Sequence, residues 1–290
     1  MYPAAFDYYA PASVSEALSL LAKNGDAKLI AGGHSLLPQM KLRLATPSAL
    51  IDIGKIADLK GISDLGDKIS LGALTTHHEV EHSALLRNSC PLLPEVASHI
   101  GDRQVRNRGT IGGSLAHADP AADYPAAMLA LGAVVEVQGG SGKRTINADD
   151  LFTGLFSTAL NSNEILTAVH VPKTDAKGNG VAYAKFPHPA SRYAVAGVAV
   201  WVNIQNDTVQ DIRIGVTGAS DHAQRATKAE AALKGKPMNE DNVAAAAKLA
   251  SDGLTTIGDM YASSDYRAHL VQALALDALN KAHHRAHGWH

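Results

Sequence analysis

Cysteine is almost absent from this sequence, since Cys90 is the only one among 290 residues. A single thiol excludes an intrachain disulfide. It also excludes an iron–sulfur cluster held by this chain alone, because such clusters are bound by several thiolates. Any iron–sulfur chemistry in which this protein takes part must therefore use the cysteines of another chain.

Long apolar runs and an excess of positive charge are also missing. The longest apolar stretches, 126–135 and 194–202, are too short to span a bilayer. The N-terminal residues lack the basic and apolar regions of a secretory signal. The formal net charge is −2, unlike that of a basic nucleic-acid binder. These absences predict a cytoplasmic protein with no transmembrane segment and no nucleic-acid partner.

The apolar segments show two different patterns of predicted secondary structure, one on each side of about residue 175. Up to about residue 175, short strand-like segments alternate with helical patterns, and the polar, glycine-rich segment 172–180 predicts a linker. After it, three strand-like segments precede three helical ones, which is typical of an antiparallel sheet covered by helices on one face. We therefore expect an α+β protein with domains at 1–175 and 176–290.

Local patterns predict individual elements. Ser13 and Glu16 have the spacing of a capping box, so a helix is expected to begin there. Strand-like segments at 27–31 and 49–54, separated by a short helical segment, predict a βαβ-like opening. The polar pair at 206–207, between two strand-like segments, predicts a hairpin turn.

Two segments carry adjacent glycines beside hydroxyl residues: AGGHS at 31–35 and TIGGS at 110–114. We expect both to form loops. Glycine permits positive φ and a close approach of the backbone to a ligand, and successive N–H groups form a concave anion site. Two such loops closing on one diphosphate would hold a dinucleotide, whereas the alternative is a pair of ordinary turns. Neither segment matches the Rossmann or P-loop pattern.

Longer stretches around these segments resemble a known family. AGGHSLLPQMKLRLATPSALIDIGKI and RNRGTIGGSLAHADPAADYPAAMLALGA, with FDYYAPASVSEAL and KFPHPASRYAVAGVAV elsewhere, are similar to the FAD-binding medium subunit of molybdenum hydroxylases. That family includes the flavoprotein of aerobic carbon monoxide dehydrogenase and the flavin domain of xanthine dehydrogenase. The resemblance implies a vanillyl-alcohol-oxidase-like (PCMH-type) FAD-binding domain with lobes at about 1–57 and 58–175. A smaller α+β domain would follow at 176–290.

The resemblance also implies which residues bind FAD. The first glycine segment would wrap the pyrophosphate from one side and the second would hold it from the other. Asp123 would accept hydrogen bonds from ribityl or ribose hydroxyls, and Tyr193 would lie near the isoalloxazine ring. The full set is Ala31, Gly32, Gly33, His34, Ser35, Leu36, Thr110, Gly113, Ser114, His117, Asp123, Ile165, Leu166, Lys185 and Tyr193.

Three of these residues have a simpler alternative role. Asp123 precedes a helical segment and is a candidate N-cap. Lys185 is a candidate solvated lysine on a strand. Tyr193 is either a core aromatic with a satisfied hydroxyl or a gate at the flavin. No residue is predicted to be catalytic.

Histidines at 77, 78, 82, 283, 284, 287 and 290 suggest a metal site. No nearby cysteine completes a structural zinc set, so we predict solvated histidines and no bound metal. Some flavoproteins of the wider fold attach FAD covalently to histidine. The molybdenum hydroxylase branch does not, and the resemblance therefore implies noncovalent FAD.

Partners and function also follow from the resemblance. A large molybdenum–pterin subunit would oxidise the substrate, and a small subunit with two [2Fe–2S] clusters would relay electrons to FAD, which passes them to an external acceptor. The assembly would be a dimer of heterotrimers. The alternatives are a self-sufficient FAD-dependent oxidoreductase of the same fold and a flavin-free binding protein that kept the scaffold.

Overall fold

A computed structural model describes residues 1–288. His290, the last residue of the histidine-rich tail, lies outside the described residues.

The N-terminal part is a small parallel sheet with two helices. Its elements are β1 (Asp7–Tyr9), α1 (Val14–Lys23), β2 (Lys28–Ile30), α2 (Leu36–Lys41) and β3 (Ala49–Asp52). Strands β2 and β3 are parallel neighbours on either side of α2 in sequence, so the βαβ-like opening is confirmed. Strand β1, which no sequence pattern predicted, pairs with the other edge of β3. The cap of α1 is confirmed too, since Ser13 Oγ accepts the Glu16 N–H at 3.2 Å.

The middle part surrounds a five-stranded antiparallel sheet in the order β4-β5-β10-β6-β7. Helices cover the sheet with a continuous apolar core. After a 3₁₀ turn (Ala57–Leu59), the elements are β4 (Ile62–Asp64), β5 (Lys68–Gly72), α3 (His77–His82), α4 (Ala84–Ser89), α5 (Leu92–Ser98), α6 (Arg103–Arg106), α7 (Ile111–His117), α8 (Tyr124–Leu131), β6 (Val134–Gly139), β7 (Gly142–Asn147), α9 (Ala148–Leu151), β8 (Phe152–Gly154), β9 (Ser157–Thr158) and β10 (Ile165–Pro172).

The C-terminal part is an antiparallel sheet in the order β11-β12-β13-β14, followed by three helices. Its elements are β11 (Asn179–Pro187), β12 (Ala194–Gln205), β13 (Thr208–Thr217), β14 (Gln224–Arg225), α10 (Thr227–Leu233), α11 (Glu240–Lys248) and α12 (Ser264–Ala286). The predicted hairpin is confirmed, because Asn206 and Asp207, with φ of 49° and 59°, join β12 to β13.

Both faces of this C-terminal sheet are covered. Alternate side chains of β11 enter two different cores: Ala182 joins the core under α12, and Tyr183 joins the core that contains α8. The sequence predicted helices on one face, and it did not predict that α8 would pack on the other. As a result β12 is buried on both sides along most of its length.

The second glycine segment is not a loop, and that prediction was wrong. Residues Ile111–His117 form α7, and the Thr110 hydroxyl caps it by accepting the Gly113 N–H at 3.1 Å. A Cβ on Gly112 would lie 2.5 Å from the Cβ of Ala73. Close packing and the cap therefore outweigh the low helix propensity of glycine.

Among residues 1–288, no helix has both the length and the apolar character that crossing a membrane requires.

Candidate functional site

A cavity of about 740 Å³ opens between the N-terminal and middle parts, and the loop between β11 and β12 forms one side of its rim. Its volume falls within the range of about 300–1,000 Å³ that is usual for small-molecule and cofactor sites. Fourteen of the fifteen predicted site residues line it: Ala31, Gly32, Gly33, His34, Ser35, Leu36, Thr110, Gly113, Ser114, His117, Asp123, Ile165, Leu166 and Tyr193.

The first glycine segment is a tight turn between β2 and α2. Gly33 has φ of +76°, a conformation that favours glycine. Among residues 1–288, no acceptor takes a hydrogen bond from the backbone N–H groups of residues 32–36, although the Gly33 carbonyl accepts the Leu37 N–H. Successive backbone N–H groups without a protein acceptor form the kind of donor set that binds anions, and these five belong to residues that line the cavity.

At Gly32, the first glycine segment meets the residues that immediately precede the second. A Cβ there would lie 2.1 Å from the carbonyl oxygen of Arg108, so only glycine allows the two chains to approach this closely. Gly113 also faces the first segment, since a Cβ added to it would lie 4.0 Å from that of Ala31. The structure therefore brings together the two segments that the sequence singled out.

The second segment contributes fewer free N–H groups than expected. The amides of Ile111, Gly112, Gly113 and Ser114 donate to Thr75, Ala73 and Thr110. Only the Thr110 N–H, within 110–114, has no acceptor among the described residues. The expectation that bare amides from both segments face the ligand was wrong for most of the second one, because the first turn of α7 and the loop that follows β5 use them.

Asp123 is the buried anion of the cavity wall. Its carboxylate accepts a hydrogen bond from the Tyr183 hydroxyl at 2.5 Å and pairs with the Lys185 ammonium at 2.8 Å. Burial raises the pKa of Asp123, while Lys185 and Tyr183 oppose that rise. Asp123 occupies the N-cap position of α8, but its side chain makes no cap hydrogen bond to the helix.

Lys185 is the predicted residue that does not line the cavity. Its side chain is 1% exposed, and its ammonium group donates to Asp123 and to the His99 carbonyl at 2.9 Å. A solvated lysine is therefore excluded. Lys185 pairs with Asp123 and does not line the cavity. It can therefore affect a ligand only indirectly, through the position and charge of the Asp123 carboxylate.

Tyr193 lies on the cavity rim with 42% of its surface exposed, so the core-aromatic alternative was wrong. Its hydroxyl is close enough to Ser35 to interact with it, and burial of the ring together with Asp119 raises its pKa. The ring thus stands beside the first glycine segment, where it can contact a ligand or shield it from solvent.

The sequence missed His77, which lines the cavity beneath Gly109. The side chain is 5% exposed, its Nδ1 has no partner, and burial lowers its pKa to about 3. The sequence showed it only as one of several clustered histidines. Whether the His77 side chain points into the cavity depends on how α3 packs, which no local sequence pattern reveals.

Two protein families match the chain. The family described as the FAD binding domain in molybdopterin dehydrogenase matches residues 4–174, and the one described as the CO dehydrogenase flavoprotein C-terminal domain matches residues 181–282. Together they cover most of the sequence.

Individual relatives are similar over nearly their full lengths. The chain is 41% identical to the carbon monoxide dehydrogenase medium chain of Hydrogenophaga pseudoflava over 283 residues, covering 97% of this chain and 98% of that one. It is 40% identical to the nicotine 6-hydroxylase medium subunit of Paenarthrobacter nicotinovorans over 270 residues, covering 93% and 94%. A solved carbon monoxide dehydrogenase from H. pseudoflava that lacks the Mo-pyranopterin moiety superposes with a TM-score of 0.95 at 43% identity, covering 97% and 98%.

These similarities confirm the predicted fold, the FAD cofactor and the assignment to oxidoreductases. The chain belongs to the family of FAD-binding medium subunits of molybdenum hydroxylases.

Proposed function

We propose that this chain is the flavin subunit of a heterotrimeric molybdenum hydroxylase and that it binds the FAD diphosphate with the backbone N–H groups of residues 32–36. It would receive electrons from the [2Fe–2S] clusters of a small subunit, with a large subunit carrying the molybdenum cofactor. The observation that carries the proposal is the row of five free N–H groups on the cavity wall. A diphosphate supplies the negatively charged acceptors that these donors lack.

The other wall residues have complementary tasks. When bound, FAD supplies two-electron redox chemistry with stepwise exchange to one-electron partners. Asp123, fixed by Tyr183 and Lys185, would accept hydrogen bonds from cofactor hydroxyls. Tyr193 would cover the ring system from the rim, which excludes water from it.

The need for partners follows from the single, buried Cys90. A chain with one thiol cannot ligate a [2Fe–2S] cluster by itself. Electrons that reach the flavin from such clusters must therefore come from another subunit. In the proposed assembly, two heterotrimers form a dimer, and the oxidised substrate is chosen by the large subunit.

The test compares the isolated, FAD-loaded chain with the complex obtained by co-expressing it with a molybdenum subunit and a cysteine-rich small subunit from the same organism. Carbon monoxide, purines, N-heteroaromatics and aldehydes are offered without oxygen, and flavin bleaching is recorded. We expect one substrate class to bleach the flavin of the complex and none to bleach the isolated chain.

Two results would contradict the proposal. Bleaching of the isolated chain by an organic substrate would indicate a self-sufficient oxidoreductase. Failure of the folded chain to take up FAD would indicate a flavin-free scaffold protein.

A further inference from the structure

Helix α3 carries a group of potential metal ligands among residues that do not line the cavity. One ligand atom each from His78, Glu81 and His82 lies within 4.8 Å of the others. His78 and His82 are one helical turn apart, and their ring centroids are 4.2 Å apart. The sequence predicted only solvated histidines here.

We propose that His78, Glu81 and His82 form a binding site for a divalent transition-metal cation of the zinc type. Two imidazoles and one carboxylate are a usual protein ligand set for such an ion, with water in the remaining position. Two histidines four residues apart on a helix present their rings to the same side, which is the spacing that helical zinc sites use.

Hydrogen bonds already orient two of the three ligands. His82 Nδ1 lies 2.9 Å from the His78 carbonyl oxygen. A carbonyl only accepts, so Nδ1 carries the proton and Nε2 keeps the lone pair that a metal needs. Glu81 is held by Arg106, whose Nε donates to Oε2 at 2.8 Å, leaving Oε1 for a cation.

The site is accessible to metal in solution. His78 is exposed, and the His82 side chain is 52% exposed, whereas Glu81 is 19% exposed. Hard cations such as Mg²⁺ and Ca²⁺ prefer oxygen ligands, so the two imidazoles select against them. The site therefore favours zinc and its neighbours in the transition series.

The experiment measures Zn²⁺ binding at neutral pH by titration calorimetry on the full, FAD-loaded chain. Another histidine pair, His283 and His287, is also one turn apart, with ring centroids 4.9 Å apart. The parent protein is therefore H283Q/H287Q, and H78Q and H82Q are each added to it. Co²⁺ replaces Zn²⁺ in a parallel spectroscopic titration, which reports nitrogen ligation directly.

We expect the parent to bind one Zn²⁺ and each added variant to bind it at least about tenfold more weakly. None of the three proposed ligands lines the cavity. Flavin content should therefore stay the same and serves as the folding control. Absence of Zn²⁺ binding by the parent, or an affinity of either added variant equal to that of the parent, would overturn the proposal.

Discussion

Gly32 is the residue at which the first glycine segment touches Arg108 and Gly109, directly before the second segment. Its missing side chain lets the Arg108 carbonyl approach, and its own N–H is one of the five without an acceptor on residues that line the cavity. A methyl group here must push the two segments apart, because the obstructing atoms belong to the backbone. Gly32 therefore sets the distance between the two parts of the chain that border the proposed diphosphate site.

Gly32→Ala is expected to lower FAD affinity at least tenfold, since one net hydrogen bond to a charged group contributes about 1.5–3 kcal/mol. The matched control is Gly140→Ala, because a Cβ at Gly140 meets nothing within 4 Å. Fluorescence titration of the apoprotein with FAD measures both. Equal affinities in the two variants would show that Gly32 does not shape the site.

The buried pair of Asp123 and Lys185 yields a stability prediction. Lys185→Met leaves a buried carboxylate without its counter-charge, and breaking a buried pair in this way costs about 3–5 kcal/mol. Adding Asp123→Asn removes the unpaired charge, so the double variant should recover part of the loss. Urea unfolding of the flavin-free proteins measures the difference, and a double variant less stable than Lys185→Met would contradict the pairing.

His77 makes stability depend on pH. Burial lowers its pKa from 6.5 to about 3, so below pH 6.5 the unfolded chain gains a proton that the folded chain does not. Unfolding therefore becomes easier by about 1.4 kcal/mol per pH unit as pH falls. The stabilising contribution of the neutral His77 side chain is fully present above pH 6.5 and is lost progressively as the pH falls to about 3.

Desolvation also lowers the pKa values of His99 and His117. Comparison with His77→Gln isolates the effect of His77. The free energy of unfolding of the His77→Gln variant, measured in urea at several pH values, should fall less steeply with decreasing pH than that of the wild type. Parallel slopes would show that His77 is accessible to protons in the folded chain.

At the scale of elements, local chemistry predicted much of the fold. The cap at Ser13, the βαβ-like opening and the turn at Asn206 and Asp207 rest on side chains and dihedral angles close in sequence, and all three are confirmed. Tertiary packing decided the rest. Gly112 is helical because it packs on Ala73. The sequence did not predict β7, because this mostly exposed edge strand lacks the apolar alternation that marks a strand.

The candidate site divides in the same way. The glycine segments and Asp123 were readable from the sequence, and the structure places them around one cavity. His77 and the buried position of Lys185 were not readable, since both depend on the docking of distant elements. The free and engaged N–H groups could not be told apart either, because Ala73 and Thr75, which accept hydrogen bonds from α7, lie in the loop that follows β5.

The N-cap of α7 allows a test of whether this helix helps to bind FAD. Thr110→Ala removes its cap, which costs about 1 kcal/mol of stability, and Ser13→Ala does the same at α1, whose cap residue does not line the cavity. Only Thr110→Ala should weaken FAD binding, and Thr110→Ser should restore it. Comparable FAD affinity in the two alanine variants would exclude a role for α7 in the site.

For the whole molecule, Cys90 reports global unfolding. It is fully buried, and burial raises the pKa of its thiol to about 12. A thiol reagent should therefore react only through opening of the fold.

If FAD binds only the folded chain, FAD at 100 times its Kd stabilises that chain by about 2.7 kcal/mol. Labelling should then slow roughly 100-fold, whereas labelling in denaturant should not change. Equal labelling rates with and without FAD would show that the cofactor does not bind the folded state.

The most direct measurement is an experimental structure of the FAD-loaded chain. We expect the diphosphate within hydrogen-bonding distance of the N–H groups of residues 32–36, facing Thr110 and Gly113, with Asp123 at the cofactor hydroxyls. A diphosphate bound elsewhere, with those five N–H groups still unpaired, would contradict the proposed site.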